Sequence, residues 1–108
     1  MALIVADFSI ELIEKLRPLV QRIKARDKSL ADQLQRAASS IALNIGEAEY
    51  SDPGNRRARF HTAAGSAGET RAAVRTAVAW GIIARADGAP AAALLDQILP
   101  ILWKLTRG

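Results

Sequence analysis

The sequence predicts an all-α fold, an antiparallel up-and-down four-helix bundle. Apolar residues recur at intervals of three and four residues along four separate stretches, which is the spacing of one face of an α-helix. Short polar or Pro- and Gly-containing segments separate these stretches, and connections of this length join antiparallel neighbours in bundles. No strand pattern and no repeat occurs in the 108 residues. This length suits one domain, 1–108.

The first two helices are predicted over about residues 8–26 and 30–50. Pro18 is expected to kink the first helix without ending it, because the apolar phase is the same on both sides of it. Ser29 resembles the N-cap of the second helix. The second helix also has the clearest buried stripe, which is predicted to contain Leu30, Leu34, Ala37, Ala38, Ile41, Ile45 and Ala48.

The third and fourth helices are predicted over about residues 53–81 and 90–106. Asp52 is a good N-cap, and Pro53 suits the first helical position. The segment 84–88 is interpreted as the connection before the fourth helix.

Two glycines and two tryptophans within these helices allow predictions about packing. Gly65 and Gly68 are each unfavourable in a helix by roughly 1 kcal/mol, so we expect another backbone to pass close to them. Trp80 and Trp103 are interpreted as packing residues, which leaves few aromatic side chains for stacking on bases.

A polar stripe runs beside the apolar stripe of the second helix, about 100° round its axis. Such a stripe indicates hydrogen bonding to a neighbouring helix or subunit, because buried polar groups need partners. Ser66 and Glu69 on the third helix are the expected partners. The alternative, a ligand or catalytic pocket, stays open at this point. The full polar stripe is Gln33, Arg36, Ser40, Asn44, Glu47, Ser66 and Glu69.

The composition argues against several classes of function. The chain has no cysteine, and His61 is its one histidine, so thiolate sites and the Glu-x-x-His metal sites of bundles are excluded. We assign no catalytic, cofactor-binding or metal-binding residue and predict a non-enzymatic protein. No apolar run reaches the roughly 18 residues that span a membrane, and residues 1–8 lack a signal peptide's basic start. We therefore expect a cytoplasmic protein without membrane contact.

The basic residues are the main indication of a function. Fifteen Lys and Arg against eleven Asp and Glu give a net charge of +4. In an up-and-down bundle the first and third helices end at the same pole, so that pole is expected to hold phosphate backbones of RNA or DNA. Cations at helix C-termini also stabilise helices by about 0.3–1 kcal/mol each, so the alternative is that these charges are simply solvated. The basic pole is defined as Arg22, Lys24, Arg26, Lys28, Arg75 and Arg85.

The segment 33–48 resembles the bacterial family called 23S rRNA intervening-sequence, or four-helix-bundle, proteins. That family's pattern is roughly Q-x-x-R-A-x-x-S-I-x-x-N-I-x-E-G. A second family element, Ala-x-Gly-Ser followed by Glu, is similar to the segment 63–69. Ala48 stands where the family usually carries Gly, so the turn after the second helix is expected to differ. The residues that match the first pattern are Gln33, Arg36, Ala37, Ser40, Ile41, Asn44, Ile45 and Glu47.

The resemblance implies a four-helix bundle that assembles as a homopentamer, as related proteins do. It also implies a distant likeness to the accessory variability proteins of diversity-generating retroelements, which are pentameric bundles that bind nucleic acid and a reverse transcriptase. No enzymatic activity comes with the family. Two functions follow as expectations: a homo-oligomer that binds nucleic acid, RNA above all, through a basic surface, or a structural or protein-interaction oligomer that binds none.

Overall fold

The computed structural model describes residues 2–107. They form four helices in chain order, α1 (Ala2–Lys24), α2 (Lys28–Ala48), α3 (Pro53–Ala79) and α4 (Arg85–Arg107). Each helix packs against its two neighbours in a closed square, α1 on α2, α2 on α3, α3 on α4 and α4 on α1. The chain is 42 Å long and 22 by 19 Å across. The predicted all-α class with four helices is confirmed.

The core lies along the axis of this square. Every residue of the stripe predicted for α2 is buried, and so is Phe60 on α3. At about 25 cal/mol per Å² of apolar surface, this burial is the main stabilising contribution. The largest fully buried apolar side chains are Val5, Leu12, Leu16, Ile23, Leu34, Ile41, Ile45, Phe60, Leu95, Ile98 and Leu102.

The two N-caps that start α2 and α3 illustrate one wrong and one correct prediction. Asp27, not Ser29, caps α2, because its carboxylate accepts the backbone N–H of Leu30 at 3.0 Å. Asp52 caps α3 as expected, and its carboxylate accepts the N–H of Asn55 at 3.0 Å.

The predicted bounds differ from the structure most at α1 and α4. α1 begins at Ala2 rather than near residue 8. The expected connection 84–88 instead forms the first turn of α4, because the Asp87 carboxylate accepts the N–H of Ala84 at 3.0 Å and so caps the helix five residues early. The third helix, α3, ends at Ala79 rather than near residue 81. Just after it, Gly81 has a φ of 73°, a backbone conformation that favours glycine.

The prolines do not divide the helices. α1 continues through Pro18, as expected, and α4 continues through Pro100. Both proline side chains are exposed.

The expectation that a backbone passes close to Gly65 and Gly68 was wrong for this chain. Both glycines are exposed, and a Cβ added at either would meet nothing within 4 Å. A close contact occurs instead at Gly88, where an added Cβ would lie 3.0 Å from a methyl group of Val74. Gly88 therefore allows α4 to pack tightly on α3.

Candidate functional site

The centre of the polar stripe is a hydrogen-bond network between α2 and α3. The Ser66 hydroxyl donates to the Ser40 hydroxyl oxygen at 2.7 Å. The Asn44 amide donates to the same oxygen at 3.0 Å and to the Ser40 carbonyl at 2.8 Å. Ser66 is buried, while Ser40 and Asn44 are half-buried. The network thus satisfies polar groups at the edge of the core.

The rest of the stripe lies at the surface. Glu47 forms an ion pair with Arg59 of α3, with 2.8 Å between the Glu47 and Arg59 side chains. Both are about half-exposed, so this pair contributes little to stability. Gln33, Arg36 and Glu69 are exposed.

Five residues of the polar stripe line one groove between α2 and α3. The groove has a volume of about 630 Å³, and its lining consists of Gln33, Arg36, Ser40, Ser66 and Glu69 of the stripe together with Leu30, Thr76 and three alanines. The structure thus brings both family motifs to one place. Among the hydrogen bonds of residues 2–107, the Ser40 and Ser66 hydroxyls bond to each other and to Asn44, not to a histidine or a carboxylate.

A second surface continues from this groove across the outside of α2. Arg36, Ser39 and Glu47 lie on it, with Leu43 between them. Leu43 is 64% exposed. We call this surface the outer α2 face.

The basic pole forms as the topology predicts. The ends of α1 and α3 and the starts of α2 and α4 meet there, and the side chains of all six of its cations are exposed. Arg22 of α1 reaches Asp87 of α4, with 3.1 Å between its guanidinium nitrogen and the carboxylate. Among the described residues, this is the ion pair that involves the basic pole.

The acidic residues at this pole are mostly engaged by the backbone. Asp27 caps α2. The backbone N–H of Ala84, and then Arg22, hold the pKa of Asp87 below its ordinary value of 3.8. These carboxylates keep their negative charge, and with the exposed Asp32 they offset part of the charge of the six cations.

Both tryptophans, interpreted from the sequence as packing residues, are exposed. Trp80 is 73% exposed and Trp103 is 40% exposed. Trp80 caps the end of α3, beyond the last turn of the buried stripe, and so lies at the basic pole. Trp103 packs edge-on against His61 of α3, with 5.6 Å between ring centres.

Within residues 2–107, no three histidine or acidic side chains come close enough together to hold a metal ion. Over the same residues, no helix combines the length and the apolar character needed to cross a membrane.

These features define a class, an all-α four-helix-bundle protein with a polar groove on one side and a cationic surface at one end. The family model described as 23S rRNA-intervening sequence protein matches residues 1–104, and the chain belongs to that family. The resemblance carried by the two motifs is thereby confirmed.

A solved structure from Bacteroides thetaiotaomicron is similar over nearly the whole chain. It is described as a protein with unknown function from the S23 ribosomal protein family. The TM-score is 0.88 at 21% identity, and the match covers 96% of this chain and 99% of the other. At that identity the likeness shows the shared fold. No curated protein sequence matches this chain significantly.

Proposed function

We propose that this protein is a non-enzymatic homo-oligomer that binds RNA through its basic pole. The observation that carries the proposal is the gathering of six exposed cations at one end of the bundle, five from the four helices and Arg26 from the connection between α1 and α2. Cations placed in this way neutralise backbone phosphates with little regard to sequence. Exposed Trp80 at the same pole adds an aromatic ring on which an unpaired base can stack.

The subunit number in this proposal is five, by resemblance to related proteins. We place the contact between subunits on the outer α2 face, where Leu43 is 64% exposed among polar side chains of the same helix. The open sides of Gly65 and Gly68 leave room for a neighbouring helix. A ring of five subunits would place five basic poles side by side and concentrate their positive potential.

A salt titration of RNA binding tests the proposal. We expect the affinity of the wild-type protein for a single-stranded RNA to fall steeply as salt rises, because counterions leave the phosphates on binding. The double variant Lys24→Glu with Arg26→Glu should bind several-fold more weakly and reduce the salt slope by about two. Both residues are exposed and lie outside the ion pairs described above.

The matched control reverses two exposed charges within α1, Lys15→Glu with Arg17→Glu. Its net charge change is identical, but Lys15 lies roughly 14 Å before Lys24 on α1 at 1.5 Å per residue. It should bind more tightly than the pole variant. Equal weakening in the two variants would contradict a role for the pole and would indicate a response to net charge alone.

The second candidate function is an oligomeric scaffold that binds other proteins and no nucleic acid. The polar groove and the exposed Leu43 favour this candidate, since both are suited to a protein partner. Absence of RNA binding even at low salt would leave the scaffold as the function.

A further inference from the structure

We propose that the pole opposite the basic pole carries a separate site for a nucleotide 5′-phosphate. The site is a groove of about 530 Å³ between the first turns of α3 and the last turn of α4. We call it the α3–α4 groove. Its cations are Arg56, Arg57 and Lys104, and its apolar residues are Pro53, Phe60 and Leu105.

The charges around the α3–α4 groove favour an anion. Three cations from two helices line it, and none of its lining residues is acidic. The carboxylate of Asp52 is engaged elsewhere, since it accepts the backbone N–H of Asn55 at 3.0 Å and the side-chain amide of Asn55 at 2.7 Å. The ion pairs of residues 2–107 include none of the three cations.

The Arg56 side chain contacts the ring of Phe60, which holds it in place before a ligand binds. Its guanidinium carbon lies 5.7 Å from the ring centre of Phe60, and Phe60 is only 1% exposed. A buried ring is a fixed support, so the cation–π contact restricts the guanidinium to the groove. A planar guanidinium held in this way can donate two parallel hydrogen bonds to one phosphate.

The size of the groove and its neighbours indicate more than inorganic phosphate. Its volume lies within the range of about 300–1,000 Å³ that is usual for small-molecule sites. Two exposed aromatic residues are sequence neighbours of the lining, Tyr50 before Ser51 and Trp103 before Lys104, but neither lines the groove and the Trp103 ring packs against His61. Tyr50 is 91% exposed, and an exposed aromatic ring can stack on a nucleotide base that extends beyond the groove. The site does not depend on RNA binding by the basic pole.

Calorimetric titration of the full chain with adenosine monophosphate, adenosine and inorganic phosphate tests the site. We expect adenosine monophosphate to bind at least about tenfold more tightly than either fragment. The double variant Arg57→Gln with Lys104→Gln should weaken its binding by at least about tenfold, the factor expected for two lost charged contacts. Arg56→Lys keeps the charge but loses the two-pronged geometry and should weaken binding to a smaller degree.

The control is Lys24→Gln with Arg26→Gln at the basic pole, which should bind adenosine monophosphate as the wild type does. Circular dichroism of each variant verifies that the helices are retained. Equal affinity for adenosine and adenosine monophosphate would overturn the site, as would unchanged binding in the Arg57 and Lys104 variant or no saturable binding at all. If the control pair loses RNA binding but keeps the nucleotide, the two sites are separate.

Two further ligands distinguish the sources of the phosphate. They are a short oligoadenylate with a 5′-phosphate and the same oligoadenylate with a 5′-hydroxyl. In the Lys24→Gln and Arg26→Gln protein, whose basic pole is weakened, tighter binding of the 5′-phosphorylated oligoadenylate than of both the 5′-hydroxyl form and adenosine monophosphate assigns the site to a nucleic-acid end. Tighter binding of adenosine monophosphate assigns it to a free nucleotide, and either result supports the site.

Discussion

Ser40 is the residue at which the two family motifs meet. Its hydroxyl oxygen accepts one hydrogen bond from Ser66 of α3 and one from Asn44 of its own helix. Sequence spacing was enough to predict that these residues share an interhelical surface. It was not enough to predict the partner of Glu47, because Arg59 lies outside both motifs and reaches Glu47 only once α2 and α3 are packed together.

The Ser40–Ser66 contact can be tested by Ser66→Ala. The change removes one donor at a buried position, so the free energy of unfolding should fall by about 0.5–1.5 kcal/mol. The matched control is Thr62→Ala, which removes an exposed hydroxyl that bonds only within α3 and should change stability by less than about 0.5 kcal/mol. Urea unfolding at matched protein concentrations measures both. A Ser66→Ala protein as stable as the wild type would show that the contact does not hold the helices together.

Asp87 gives a prediction for acid pH. Its pKa in the folded state lies below the ordinary value of 3.8, through the N–H of Ala84 and then Arg22. A lowered folded pKa means that the carboxylate stabilises the fold above pH 3.8 and that this contribution disappears as pH falls through the folded pKa. Asp87→Ala should therefore unfold more easily than wild type at pH 7, and the difference should shrink below pH 3.8.

The control for this experiment is Asp7→Ala, which removes an exposed carboxylate from α1. It should not reproduce the pH dependence of the Asp87 variant. Denaturant midpoints measured from pH 7 to pH 2.5 make the comparison. A gap between wild type and Asp87→Ala that stays constant over this range would contradict the assigned role of the charge.

At the scale of the elements, apolar periodicity predicted the helices well and their ends poorly. All seven residues predicted for the stripe of α2 are buried, because many apolar residues repeat in phase, and the prediction missed only the buried Ala31. The starts of α2 and α4 were misplaced because Asp27 and Ser29, and likewise Asp87 and Pro90, are alternative start signals a few residues apart. Only the actual hydrogen bonds of the Asp27 and Asp87 carboxylates decide between them.

The glycines of α3 show a second limit of sequence interpretation. A glycine inside a helix indicates a close neighbour in general, but its phase does not say whether that neighbour belongs to the same chain. Gly65 and Gly68 are on the exposed side of α3. A backbone that passes close to these two glycines would therefore have to belong to another chain.

The outer α2 face predicts an effect on assembly. Leu43→Glu should lower the solution mass without unfolding the helices, because it places a charge at the centre of the proposed contact between subunits. Ile10→Glu is a close control, since Ile10 is an apolar residue of α1 that is 54% exposed, compared with 64% for Leu43. Light scattering with circular dichroism measures both variants. If Ile10→Glu dissociates the protein and Leu43→Glu does not, the contact lies on α1 instead.

At the scale of the whole molecule, the decisive feature is the topology. The end of α1 is basic through Arg22 and Lys24, and the up-and-down arrangement adds cations from the other three helices at the same pole. This placement was predictable from the helix order alone. The exposed Trp80 and the α3–α4 groove were not, because they depend on where helices end and which side chains lie across from one another.

The most direct test of the central claim is the solution mass of the wild-type protein, measured by light scattering after size-exclusion chromatography, with and without single-stranded RNA at low salt. We expect the wild-type protein to form a species of about five subunits whose mass increases when RNA is added. A monomer would contradict the assembly and the interpretation of the outer α2 face. A five-subunit mass that RNA leaves unchanged would contradict RNA binding by the basic pole.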